Sequence, residues 1–99
     1  MTKLQLELCA KIATHYGEGS QLCILQEECA ELIKAVSKIR RGIPDAGANL
    51  IEELADVSIM VEQIVSYMDD DDRTTLSKTI NAKLDRQMKR IAEEGEYAG

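Results

Sequence analysis

Apolar residues recur along most of this chain at three- and four-residue steps, the period of helices with one buried face. Leu4, Leu8 and Ile12 share one side of a first segment, which Thr2 and Gln5 open as a Thr-x-x-Gln capping box. Gly17-Glu-Gly19-Ser20 ends it, and Ser20 is the expected cap of the next helix. That second helix is predicted from about Gln21 to Arg40 on Leu22, Leu25, Cys29, Leu32, Val36 and Ile39. Lys38, Arg40 and Arg41 suit its C-terminus, and Gly42 with Pro44 stops it. A third, from about Ala46 to Met68, carries Leu50, Leu54, Val57, Val61, Ile64 and Met68. The acidic run Asp69 to Asp72 would oppose the dipole of a helix it ended and favours one it precedes. It therefore introduces a fourth helix, predicted from about Thr74 to Glu94, after which the tail is expected to fray.

Helices joined by a few residues lie antiparallel, so the second and third should form a long hairpin with the others packed along it. The expected fold is all-α and four-helix bundle-like. No Pro/Gly/Ser-rich stretch divides the chain, so residues 1–99 are read as one domain.

Composition narrows this further. The chain is 44% hydrophobic with no Trp, no Phe and only three Tyr, so its core falls to aliphatic residues, Met and Cys. A net charge of -6 repels a nucleic-acid backbone, which argues against a polynucleotide partner but leaves room for a small anion held through metal. Cys9, Cys23 and Cys29 are odd in number, lack CxxC spacing and fall within apolar-periodic segments. They read as reduced core residues of a cytoplasmic protein. There is neither a signal-peptide pattern nor an apolar run long enough to span a bilayer, so no membrane association is expected.

The chemistry lies in four acids. With Glu28 set to zero and about 100° per residue, Leu32 falls at about 40°, Leu25 at about 60° and Glu31 at about 300°. With Glu53 at zero, Val57, Leu50 and Asp56 repeat those three positions at about 40°, 60° and 300°. An offset of 25 residues thus maps Glu28 and Glu31 onto Glu53 and Asp56, a pseudo-repeat in residue type and spacing. If the matching stripes face each other, the four carboxylates converge in one partly buried pocket, where either protons or cations must be held. All-oxygen ligands favour Mg²⁺ or Mn²⁺ over zinc, and Mg²⁺ commonly binds through carboxylates and substrate phosphates together. The competing reading makes these acids ordinary solvated surface residues. Glu27 and Glu52 point farther round and fit that reading, or a supporting role behind the ligands.

In this order and helical setting, Leu25-Gln-Glu-Glu28-Cys-Ala-Glu31-Leu32 and Glu52-Glu53-Leu-Ala-Asp56-Val57 resemble the ExxE and ExxD segments of the MazG-type all-α nucleoside triphosphate pyrophosphohydrolases. Asn81-Ala-Lys83-Leu-Asp-Arg86-Gln-Met-Lys-Arg90 is similar to the same family's Asn-x-Lys-Leu/Phe-x-Arg-Arg segment, with Gln87 where a second arginine often stands. The resemblance covers about Gln21 to Arg90. It implies that Glu28, Glu31, Glu53 and Asp56 bind Mg²⁺ and act in catalysis, converting a nucleoside triphosphate and water to a monophosphate and pyrophosphate. It also implies that Lys83, Arg86 and Asn81 contact phosphate, with Asn81 alternatively on the sugar.

Three rival readings stand beside it. A phosphoribosyl-ATP pyrophosphohydrolase-like enzyme shares the fold and the chemistry, while a non-catalytic acidic helical module would recruit a basic partner without metal. A di-iron carboxylate bundle needs Glu-x-x-His pairs, which are absent. His15, the sole histidine, gains no catalytic role from its spacing. Ile51, Val65 and Ile59 extend the third helix's apolar surface beyond what one partner helix covers, so a homodimer or homotetramer is expected.

Overall fold

The computed structural model describes the backbone of residues 1–98 and the side chains of residues 1–95. It is all-α: α1 spans Lys3–Tyr16, α2 Glu18–Arg40, α3 Ala46–Ser66 and α4 Asp70–Ala98, with no strand among the described residues. Residues Met1–Tyr67 form one compact unit, and the chain from Met68 onward forms another.

Local chemistry explains where the helices begin and end. The Thr2 hydroxyl accepts from the Gln5 amide at 3.1 Å, and the Gln5 side chain accepts from the Thr2 amide at 2.8 Å, closing the predicted capping box. Gly17, at φ 89°, is both the C-cap of α1 and the N-cap of α2. The second helix therefore begins at Glu18, and Ser20 lies inside it instead of capping it. One glycine with positive φ makes the whole turn, because that region costs it no Cβ clash. At the other end of α2, the Gly42 amide donates to the Ile39 carbonyl and the Ile43 amide to the Lys38 carbonyl. With Gly42 at φ 69°, this is a Schellman stop.

Helix α3 ends at Ser66, two residues before the predicted Met68. The Tyr67 hydroxyl donates to the Ala13 carbonyl at 2.6 Å, which ties the end of α3 to α1. Burial, and then the charge of Glu18, push the Tyr67 hydroxyl's pKa up. The fourth helix starts four residues earlier than predicted. Asp69 accepts from the Asp72 amide at 2.8 Å as a cap, while Asp70, Asp71 and Asp72 occupy the first turn, where the helix dipole favours acids. The helix continues to Ala98, four residues past the predicted Glu94. Gly99 lies outside the described residues.

Within the first unit, α2 and α3 pack most extensively, and α1 lies mainly on α3 and less on α2. Cys9, Ala13, Ala35, Ala46 and Met60 are buried there, together with two polar residues, Gln21 and Gln63. Small side chains at Ala13 and Ala35 let the helix backbones approach closely. The cysteine expectation needs correction: Cys9 alone is buried, whereas Cys23 and Cys29 are exposed, because their face of α2 is not covered by α1 or α3. All three thiols are free, and burial followed by the Glu62 charge raises the pKa of Cys9.

Candidate metal centre

Helical phase and hairpin register together bring acids from α2 and α3 to one place. Glu28, Glu53 and Asp56 each offer a carboxylate oxygen, and these oxygens all lie within 4.8 Å of one another. Glu28 and Glu53 are half-buried and Asp56 is exposed, so the cluster opens to solvent on the Asp56 side. The i, i+3 spacing of Glu53 and Asp56 puts both on one face of α3.

The electrostatics are strained. Partial burial raises the pKa of Glu28, and the charges of Asp56 and Glu53 raise it further. Side-chain hydrogen bonding with the Asp56 carboxyl acts the same way, and the charge of Glu31 adds to it. Glu53 Oε2 is buried and has no hydrogen-bond partner. A buried carboxylate oxygen without a donor is costly, and among like charges it is doubly so.

A divalent cation fits this donor set. Oxygens on opposite sides of a hard cation stand about 4 to 5 Å apart, given metal–oxygen distances of about 2.0 to 2.6 Å. The cluster supplies only oxygen ligands, which suit Mg²⁺, Mn²⁺ or Ca²⁺ and not a thiolate-seeking ion. A cation would also give Glu53 Oε2 the partner that the protein does not.

The other acids stand apart. Glu31 is not among the converging three: its carboxylate is paired with Lys34 Nζ at 3.3 Å, and the Glu31 side chain is largely exposed. The Glu-x-x-Lys spacing was the available signal for this pairing. Glu27 and Glu52 are exposed. Asn81, Lys83 and Arg86 are exposed on α4, in the second unit. His15 packs edge-on against Tyr16, with ring centroids 4.7 Å apart, at the end of α1.

An antiparallel helical hairpin that turns three carboxylates toward one partly buried point defines an all-α protein with a candidate centre for a hard divalent cation. The model of the MazG nucleotide pyrophosphohydrolase domain matches residues 17–94, and the chain belongs to that family. The match takes in α2, α3 and most of α4, with every candidate acidic and basic site residue and not His15. No curated protein and no solved structure gives a significant match to the chain. Among the described residues, no helix is long and apolar enough to cross a membrane.

Proposed function

We propose that this protein is a Mg²⁺-dependent nucleoside triphosphate pyrophosphohydrolase, with Mn²⁺ as an alternative ion, releasing a nucleoside monophosphate and pyrophosphate. The observation that carries this reading is the convergence of Glu28, Glu53 and Asp56, with Glu53 Oε2 buried and unpartnered, within a chain of the MazG family.

Glu28, Glu53 and Asp56 hold the ion. Glu31 would join them by giving up its exposed pair with Lys34, an exchange of small cost because surface ion pairs contribute little. An ion held there would supply charge neutralisation for phosphate oxygens and lower the pKa of a water. Water adds at the α-phosphorus, the α–β anhydride bond breaks, and pyrophosphate leaves. The carboxylates orient this water and accept its proton. Lys83 and Arg86 draw phosphate oxygens as a point charge and a planar fork, and Asn81 contacts phosphate or sugar. Glu27 and Glu52 support the ligands from behind. The free thiols suit a reducing, cytoplasmic setting.

The direct test incubates the protein with eight ribo- and deoxyribonucleoside triphosphates, with Mg²⁺ or with EDTA, and separates products by anion exchange. Monophosphate and pyrophosphate formed only with metal are expected. Monophosphate and two phosphates, or a diphosphate, would refute the bond assignment.

The active form is a homodimer or homotetramer on this reading. Ile33 and Ile51 are each 70% exposed, and no large side chain in the unit is fully buried. An open groove of about 540 Å³ runs along the C-terminal half of α2, lined by Leu32, Ile33, Val36 and Ser37 and ended by Arg40 and Arg41. An aliphatic face of this extent needs cover, and a second copy of the chain brings a matching one. Sedimentation at micromolar concentration is expected to give a multiple of 11.0 kDa, and a clean monomer would remove the assembly from the proposal.

A further inference from the structure

The seam between α2 and α3 holds one buried polar contact away from the carboxylates. Gln21 Nε2 donates to Gln63 Oε1 at 2.6 Å, and the two residues are only 5% and 2% exposed. Gln21 lies seven residues before Glu28 on α2, and Gln63 lies seven residues after Asp56 on α3. In an antiparallel pair these steps run in the same direction. The Gln21–Gln63 and Glu28–Asp56 contacts are therefore two rungs of one ladder, two helical turns or about 10.5 Å apart. The next seven-residue step reaches buried Ala35 on α2 and Asn49 on α3, and Asn49 accepts from Lys38 Nζ at 3.4 Å.

We propose that the Gln21–Gln63 hydrogen bond fixes the register of α2 on α3 and so sets Glu28 against Asp56 and Glu53, making the two glutamines positioning residues of the acidic site. This rests on the reading of that site as a metal centre.

The rest of the seam cannot fix the register as firmly. Burial of Leu25, Leu32, Leu50 and Val57 is non-directional, and side chains of similar size tolerate a slip by one turn. Such a slip carries Glu28 about 5.4 Å along the axis. That exceeds the 4.8 Å within which the three carboxylate oxygens now lie. Ionised, the carboxylates do not hold themselves together either, because without a shared proton or a cation their mutual repulsion opposes the arrangement. A buried amide pair does discriminate. In any other register both amides lose their partner inside the core, the same logic by which a polar seam residue selects register in coiled coils.

The test replaces both glutamines by methionine, an apolar match in length and shape. Two readouts are used: Mn²⁺ binding, from the paramagnetic resonance of free Mn²⁺, and the inter-helix NOEs of the Ala35 methyl. The expected result is a folded Gln21→Met/Gln63→Met protein whose α2–α3 NOEs shift or spread by a helical turn. Its Mn²⁺ affinity should fall about tenfold or more, the usual effect of losing support behind metal ligands. A folded Met pair with wild-type NOEs and Mn²⁺ affinity within about twofold of wild type overturns the proposal. Gln63→Glu keeps an oxygen to accept from Gln21 Nε2 and is expected to retain the wild-type NOE pattern. It decides the matter if the Met pair does not fold, because displaced NOEs in folded Gln63→Glu also overturn the proposal. If the wild-type protein binds no Mn²⁺, the reading of the metal centre falls, while the NOE comparison still decides the register.

Discussion

Glu53→Gln is expected to lower Mg²⁺-dependent pyrophosphohydrolysis at least about a hundredfold while raising the melting temperature of the metal-free protein. Both signs follow from one atom. Glu53 Oε2 is buried without a donor, between carboxylates whose charges already push the pKa of Glu28 up. An amide of the same shape removes one negative charge from the cluster and supplies an N–H to its neighbours, so the empty site relaxes. The same change takes away one of the three converging anionic groups, which would weaken binding of an ion and, through it, of a triphosphate. Product formation should be measured beside thermal unfolding in EDTA. Near-normal turnover with Mg²⁺ would remove Glu53 from the site, and a lower melting temperature would mean that its carboxylate has a stabilising partner after all.

Helical phase was the strongest signal in the sequence. The angular positions of Glu28 and Glu53 relative to Leu32 and Val57 correctly anticipate two half-buried acids, because the 3.6-residue period determines which side a residue takes once the helix is known. Helix ends were legible only where one motif stood alone. The Thr2 box and the Gly42 stop form as read, but Ser20 lost its capping place because Gly17 alone turns the chain. The charge argument sets Asp70 to Asp72 ahead of a helix whose first turn they in fact make.

Register was harder to read, since phase says which face a residue occupies and not which partner it meets. The 25-residue pseudo-repeat suggests that all four acids meet, yet Lys34, one turn from Glu31, draws that carboxylate outward. Gln21 and Gln63 carry no such signal, because an isolated glutamine in a helix looks like a surface residue. Their shared seven-residue spacing from Glu28 and Asp56 was visible, but it gains meaning only once the two helices are known to lie antiparallel in this register.

Saturating Mg²⁺ or Mn²⁺ is expected to raise the melting temperature of the wild-type protein by about 10 to 20 °C over EDTA, at fixed protein concentration. A ligand that binds only the folded state stabilises it by RT ln(1 + [L]/Kd), or about 2.7 kcal/mol at a hundred times Kd. In a chain of this size each kcal/mol moves the midpoint by about 4 to 8 °C. The folded state alone offers the ion its site, because Glu28 and the pair Glu53 and Asp56 come from different helices and meet only when α2 lies on α3. The gain should vanish in Glu53→Gln and persist in Lys34→Ala, which frees Glu31 without touching the converging three. Equal stabilisation of wild type and Glu53→Gln would place the ion elsewhere, for instance on the acidic turn at Asp69 to Asp72. No stabilisation by either ion in a folded, EDTA-stripped sample would leave the carboxylates to be held by protons alone.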